Sequence, residues 1–315
     1  MTDLQATAPS VAPRVVRRRR RRRVRLSNRA FGIALVSPAV VVLLVIVGYP
    51  VLQAVQLSVH DVVLINPGDD PYVGLDNYRQ LIFEEPNFWQ VWRNTGVFVV
   101  AITAGSFAAG FTLALVLRNV RRCRGLLRTL FLLPYVMPTI VLSLLWLWMF
   151  NSTFGIVNYL LDAVGLIDGF RPWFSDATWA FVPVVLLFVW KGAAFQMIMI
   201  TAGLSRVPSS LYDAASVDGA GAVRRFWNVT LPSMRPVLIT LVLLSVMFGM
   251  QQFTPLWLLT QGGPGYSTTT TAIWVYRLAF QRFDFGLAAA LGTVWMAVLI
   301  VLTIVVLRVN RPSDR

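Results

Sequence analysis

Two sets of residues in this chain could do chemistry. One is the polar stretch Ser209 to Pro232, SSLYDAASVDGAGAVRRFWNVTLP, which stands between two long apolar segments. The other is a handful of polar groups inside apolar segments: Lys191 and Gln196 in one, Gln251 and Gln252 in another, with Trp190 and Phe253 beside them. A few placed amides and charges among aromatic faces are what a small-molecule site needs to bind hydroxyls and sugar rings. The same groups can equally bond helix to helix, at about 1 kcal/mol each. For these six residues both readings stand at the level of sequence.

Other chemistries lack their parts. A nucleotide-hydrolysing loop needs a Gly-rich turn ending in Lys followed by Ser or Thr, and the only lysine, Lys191, is followed by Gly192. One histidine, His60, and one cysteine, Cys123, supply neither a metal cluster, a disulfide nor a Ser-His-Asp set. The acidic pairs Asp69-Asp70 and Glu84-Glu85 sit in a polar loop, and the apolar segments hold no Asp or Glu for a proton relay. The chain is expected to be no enzyme and to bind no metal or cofactor.

The 209–232 stretch reads as a docking element. Pro208 ends the preceding segment, and Ser210 stands three residues before Asp213, the spacing of a reciprocal helix cap. A short helix is expected from about Leu211, carried by Ala214 and Ala215 and stopped by Gly219 and Gly221 at left-handed positions. A second short helix follows from Arg224 through Phe226 and Trp227, with Pro232 and Pro236 opening the next apolar run. Helices this short are marginal alone, so a partner surface is implied.

The frame that must hold these groups is a membrane one. The chain has 315 residues, 57% hydrophobic and 13% charged, about half the charged share of a soluble domain. Its apolar runs are long enough to cross about 30 Å of hydrocarbon as helices. Six spans are expected: Phe31 to Tyr49, Gly96 to Leu117, Leu130 to Phe150, Trp179 to Leu204, Val237 to about Leu258, and Leu287 to Leu307. Pro134 and Pro138 should bend the third, either to line a pathway or as ordinary membrane-helix prolines. Residues 1–30, with arginine unbroken from 17 to 23, read as a basic disordered tail, and 310–315 as a second short tail. A secretory or twin-arginine leader is the other reading of that start; the following run is longer than a signal core and lacks a small-x-small cleavage site.

Arginine placement orients the frame. With six spans, 22 arginines fall on the side of the termini and the 209–232 loop, and five on the other. The positive-inside rule puts the former in the cytoplasm. The net charge of +14 therefore reads as topology, and no nucleic-acid partner is expected.

Asp213-Ala214-Ala215, then Asp218-Gly219-Ala220, Phe226 and Leu231-Pro232, resemble the cytoplasmic signature loop of permease subunits in binding-protein-dependent ABC importers. The family pattern usually opens with Glu, so Asp213 is one methylene short. Tyr72 to Thr95 resembles the same family's approach to its second helix, and the Leu259-Thr260-Gln261-Gly262-Gly263-Pro264-Gly265 loop resembles the outer loop of its carbohydrate branch, of maltose and glycerol-phosphate type. The resemblance implies an all-α integral membrane fold, residues 31–309, of six transmembrane helices with a cytoplasmic coupling helix in the loop 205–236 between the fourth and fifth. It implies that Tyr212, Asp213, Ala214, Ala215, Asp218, Gly219 and Ala220 dock on an ATPase subunit. It also implies a second permease subunit, two ATPase subunits carrying ATP and Mg, a solute-binding protein outside, and a bacterial inner membrane. The solute would be a sugar, oligosaccharide or polyol. A secondary transporter working without ATP is the alternative, disfavoured by the missing intramembrane acids.

Overall fold

The structure, a computed structural model, describes residues 28–64, 68, 70–120 and 122–309. The arginine run 17–23, Asp69, Arg121 and the tail 310–315 lie outside the described residues. Among those described, secondary structure is helical, and extended pairing is limited to the bridges His60–Tyr72 and Val63–Asp284.

The described residues from Asn28 to Val51 form one compact unit. Helix α1 (Asn28–Leu43) passes through a π-helical turn, Leu44–Gly48, into α2 (Tyr49–Leu57). The run Phe31–Leu57 has 27 residues and a mean hydropathy of 2.7 in its most apolar stretch. At 1.5 Å per residue it reaches about 40 Å, past the expected end at Tyr49 and enough to cross hydrocarbon with tilt.

The second unit runs from Leu52 onward. A short α3 (Asp76–Arg79) and a π-helical turn, Gln80–Glu84, lead into α4 (Phe88–Asn119). Helix α4 starts well before the expected Gly96, because Phe88 and Val91 are buried in a cluster with Trp274, Leu278 and Leu287. The third expected span is two helices, α5 (Arg124–Val136) and α6 (Thr139–Met149), bent by 97°. Pro138 forces Met137 into an extended conformation, φ −65° and ψ 137°, as a residue before proline prefers. The expected bend is thus nearly a right angle. Helix α7 (Ile156–Ala163) lies between the third and fourth expected spans, where no helix is expected from the sequence.

Helix α8 (Phe181–Leu204) pairs with α4 along its length. Glycines make that pairing tight. A Cβ on Gly105 would stand 2.5 Å from Val189 Cγ2, one on Gly110 2.9 Å from the Ala193 carbonyl oxygen, and one on Gly192 would strike the Ser106 hydroxyl. Small residues at a crossing let two backbones approach where lipid supplies no hydrophobic drive.

Next come α9 (Ser209–Val217), α10 (Ala222–Arg225), a π-helical turn, Phe226–Thr230, and α11 (Leu231–Met250). Pro208 occupies the position before α9 and no side chain caps it, so the Ser210–Asp213 cap does not form: Ser210 is already inside the first turn. Gly219 is left-handed, φ 71°, as expected, but Gly221 is not; at φ −67° and ψ 172° it opens α10 in extended conformation.

The fifth span also departs from expectation. It stops at Met250, turns through Gln251 to Phe253, and restarts as α12 (Thr254–Thr260). In an unbroken helix the Pro255 ring would meet the carbonyl of Gln251, so the chain must stop there; Pro255 then fits the first turn of α12, where no amide donor is needed. After a Gly-Thr-rich turn come α13 (Thr271–Phe280) and α14 (Phe285–Val309). Among the described residues five helices are long and apolar enough to cross a membrane, and six spans result if the bent α5–α6 pair counts as one.

Candidate functional site

The two chain breaks face a cavity. It has a volume of about 300 Å³ and is walled by α4, α8, α11 and the α5–α6 break. Helix α8 contributes Lys191 and Gln196, α4 Thr103 and Ser106, the bend Tyr135 and Thr139, and α11 with its end Ser245 and Gln252. Lys191 Nζ donates to the Thr139 hydroxyl, tying the centre of α8 to the first residue of α6. Gln196 is 1% exposed and its Nε2 donates to Ser245 Oγ at 2.6 Å. Gln196 Oε1 and Thr103 Oγ1 are buried without a partner among the described residues. The apolar part of the wall includes Ile102, Phe188, Phe195 and Phe248, and Tyr135 stacks on Phe195 with centroids 5.9 Å apart.

Of the six polar and aromatic residues singled out by sequence, the cavity gathers Lys191, Gln196 and Gln252. Gln251 and Phe253 line an adjoining groove with Pro138 and Thr139, where the α5–α6 and α11–α12 breaks meet. Gln251 and Gln252 are therefore at a helix end, not deep in a continuous fifth span. Trp190 is elsewhere: it stacks on Trp146 at 5.4 Å and lines an apolar groove with Ala109 and Val157. Sequence reasoning missed Thr103, Ser106, Tyr135, Thr139 and Ser245. Thr103 and Ser106 did carry a signal, two hydroxyls three residues apart on one face of a membrane helix.

The second region is the connection around α9. Asp213, Ala214, Asp218 and Gly219 are exposed, while Tyr212, Ala215 and Ala220 are half-buried. Val217 is 88% and Val223 73% exposed, so a small apolar surface stands free beside the acids. Tyr212 anchors the helix inward. Its hydroxyl lies 3.0 Å from Thr230 Oγ1 and accepts from Arg118 Nη1 at 3.4 Å, and Arg118 Cζ sits 4.9 Å from its ring centre. Arg225 Nη1 donates to Ser216 Oγ at 3.1 Å, joining α10 to α9. The connection is thus fixed to the end of α4 and the start of α11.

The opposite end is closed by loops. Asn94 Nδ2 donates to the carbonyls of Tyr266 and Thr269, at 2.7 and 3.2 Å, and Arg282 pairs with Glu85 at 2.5 Å. Asp284 Oδ1 accepts from the Leu287 amide and caps α14. Burial pushes the Asp284 carboxyl above the usual carboxylate range, against the pull of the Leu287 amide and of Arg282. No group of three or more His, Cys, Asp or Glu able to hold a metal occurs among the described residues.

The chain as a whole is similar to known proteins. The chain is 33% identical over 289 residues to the sulfoquinovosyl glycerol transport system permease protein SmoG of Agrobacterium fabrum, covering 92% of this chain and 93% of that one. It is 32% identical over 283 residues to the trehalose/maltose transport system permease protein MalF of Thermococcus litoralis, covering 89% and 93%. Among solved structures it resembles in fold a chain of a bacterial ABC transporter involved in the import of the acidic polysaccharide alginate, with a TM-score of 0.76 and 22% identity over 90% of this chain and 96% of that one. Residues 101–312 match the family described as binding-protein-dependent transport system inner membrane component, and the chain belongs to that family, the membrane-spanning permeases of ABC importers.

Proposed function

We propose that this chain forms half of the translocation pathway of an ATP-driven importer for a sugar, oligosaccharide or polyol-like solute. A permease of this family is a transport component and hydrolysis belongs to a separate subunit. The observation that carries the solute class is the cavity, where hydroxyl and amide groups of Thr103, Ser106, Gln196, Ser245 and Gln252 alternate with the aromatic faces of Tyr135, Phe188 and Phe195. Such a mixture suits a ring bearing hydroxyls. Its volume of about 300 Å³ is at the small end of ligand sites. The names of two relatives, one for sulfoquinovosyl glycerol and one for trehalose and maltose, agree with that class.

The α9 connection is the docking element. Arginine asymmetry puts it and both termini in the cytoplasm of a bacterial inner membrane, beside two ATPase subunits that bind ATP and Mg. Tyr212, Asp213, Ala214, Ala215, Asp218, Gly219 and Ala220 receive the ATPase there, and closure of the ATPases moves α9. A second permease subunit completes the pathway and a solute-binding protein delivers from outside. A neighbouring structure in fold is a bacterial alginate ABC transporter in complex with an alginate pentasaccharide-bound periplasmic protein.

Asp218→Lys tests the docking role. Asp218 is exposed and follows the last turn of α9, where a cation is favoured by the helix dipole, so the helix survives the change. Solute uptake should be abolished with membrane insertion intact; normal uptake removes the docking role. For the whole reading, the chain is purified in mild detergent with its co-expressed neighbours. Recovery of an ATPase whose activity rises with a sugar and its binding protein is expected, and transport by this chain alone without ATP would replace the reading with a secondary transporter.

A further inference from the structure

Lys191 carries a charge that a neutral sugar site leaves unexplained. It is the eleventh of the 24 residues of α8, near the middle of a span. A lysine at that depth costs about 2.5 to 3.5 kcal/mol on insertion scales, and such a residue usually faces a partner or a pathway. No partner of opposite charge exists in the spans: α1, α2, α4, α5, α6, α8, α11, α12 and α14 contain neither Asp nor Glu. Its ammonium instead reaches the hydroxyl of Thr139, the first residue of α6.

That placement adds positive to positive. The N-terminus of α6 carries the positive end of a helix dipole, and no side chain caps it. Its first amides are directed to where α5 breaks away at 97°, the same place at which α11 ends and α12 begins. Broken membrane helices that turn an N-terminus toward a cavity favour an anionic group there. An ammonium and a helix N-terminus meeting in a low-dielectric cavity repel one another, and a negatively charged ligand between them relieves both. Beside them, Gln196 is 1% exposed and lines the same cavity, and its buried Oε1 has no partner among the described residues.

We propose that the solute carries a negative charge, as a carboxylate, sulfonate or phosphate on a polyhydroxylated body, and that Lys191 together with the N-terminus of α6 receives that charge in the cavity. The proposal rests on the importer reading and narrows it. A neutral sugar fits the cavity wall but leaves the cation uncompensated. An anionic one satisfies it.

The test uses the complete importer, purified with its ATPase, second permease and binding protein in lipid nanodiscs. Solute-stimulated ATPase activity is measured with pairs that differ in charge: glucuronate and glucose, glycerol 3-phosphate and glycerol, 6-deoxy-6-sulfoglucose and 6-deoxyglucose. The charged member of at least one pair should stimulate. Lys191→Gln should lower the charged-over-neutral preference about tenfold or more, the worth of a charge-assisted hydrogen bond, and Lys191→Arg should restore it. Both variants are compared at saturating binding protein, whose own affinity they cannot alter, and Lys191→Gln removes a charge from a span and so should insert at least as well. If only neutral solutes stimulate, or if Lys191→Gln leaves the preference intact, the anionic assignment is wrong and the importer stands. If no solute of any kind stimulates hydrolysis, the importer reading itself has failed and takes this one with it.

Discussion

The α9 connection and the cavity are built on opposite plans. The connection uses contiguous chain, residues 209–232, and leaves its acids, its glycine and Val217 and Val223 exposed. The cavity draws single residues from α4, the α5–α6 bend, α8 and α11, separated by up to 150 positions between Ile102 and Gln252. In the roles proposed for them, a docking surface needs only a short helix held out toward a partner. A solute cavity in lipid must instead satisfy its polar groups internally, so it can exist only where several helices converge. The first is therefore sensitive to local backbone geometry, and the second to how closely helices approach.

The largest effect expected from that difference is at Gly219. Its φ of 71° is inaccessible to proline, which is fixed near −65°, so Gly219→Pro removes the turn that ends α9. Uptake by membrane vesicles should fall to background while the chain still reaches the membrane, since no span is touched. If uptake survives, the orientation of α9 does not matter and the contrast between the regions collapses. Gly221 serves as the control: it is at φ −67° with open space where a Cβ would go, so Gly221→Ala should change stability by less than about 0.5 kcal/mol.

A smaller effect is expected where α4 crosses α8. Gly110 faces the Ala193 carbonyl, the Met197 amide and the Gln196 side chain, so Gly110→Val drives a branched side chain into backbone. Overpacking of this kind costs about 1 to 3 kcal/mol and here pushes Gln196 out of register with Ser245. A lower unfolding midpoint in detergent, with reduced uptake and α9 docking intact, is the outcome that separates the regions. An unchanged midpoint would mean that α4 and α8 are not packed as closely as the glycines indicate.

How much the sequence disclosed follows the same division. The α9 region was legible because its signals are local: Pro208, the Ala214-Ala215 pair and the left-handed Gly219 act within a few residues of themselves. Even there, the expected Ser210–Asp213 cap failed, because Pro208 sets the start two residues too early for Ser210 to sit outside the helix. Span existence was legible from apolar length alone, while span ends were not, since α4 begins where Phe88 meets Trp274, which lies 186 positions away. The break at Gln251 was missed although Pro255 announced it; an apolar window registers Trp257 and Leu258 but is blind to a missing amide. Lys191, Gln196 and Gln252 stood out because polar groups in apolar runs always do. Their companions Thr103, Ser106, Thr139 and Ser245 are ordinary residues of membrane helices, and only three-dimensional convergence gives them a role.

The smallest effect decides whether the two regions work as one body. Helix α4 walls the cavity with Thr103 and Ser106 and ends at Arg118, which lies over the Tyr212 ring. The Tyr212 hydroxyl also meets Thr230, which is 4% exposed at the start of α11, another wall of the cavity. Motion of α9 can therefore reach both walls through a single side chain. Tyr212→Phe keeps the ring under Arg118 and removes only the hydroxyl bonds, a loss of about 1 kcal/mol that leaves the fold in place. If Tyr212 transmits the motion, the variant should hydrolyse ATP at the normal rate but move less solute per ATP. Thr230→Val should do the same, and the double variant should be no worse than either single one, because residues sharing one contact give non-additive losses. Additive losses, or an unchanged ratio of solute to ATP in all three, would show that α9 and the cavity are linked elsewhere, with α10 and the π-helical turn Phe226–Thr230 as the remaining covalent route.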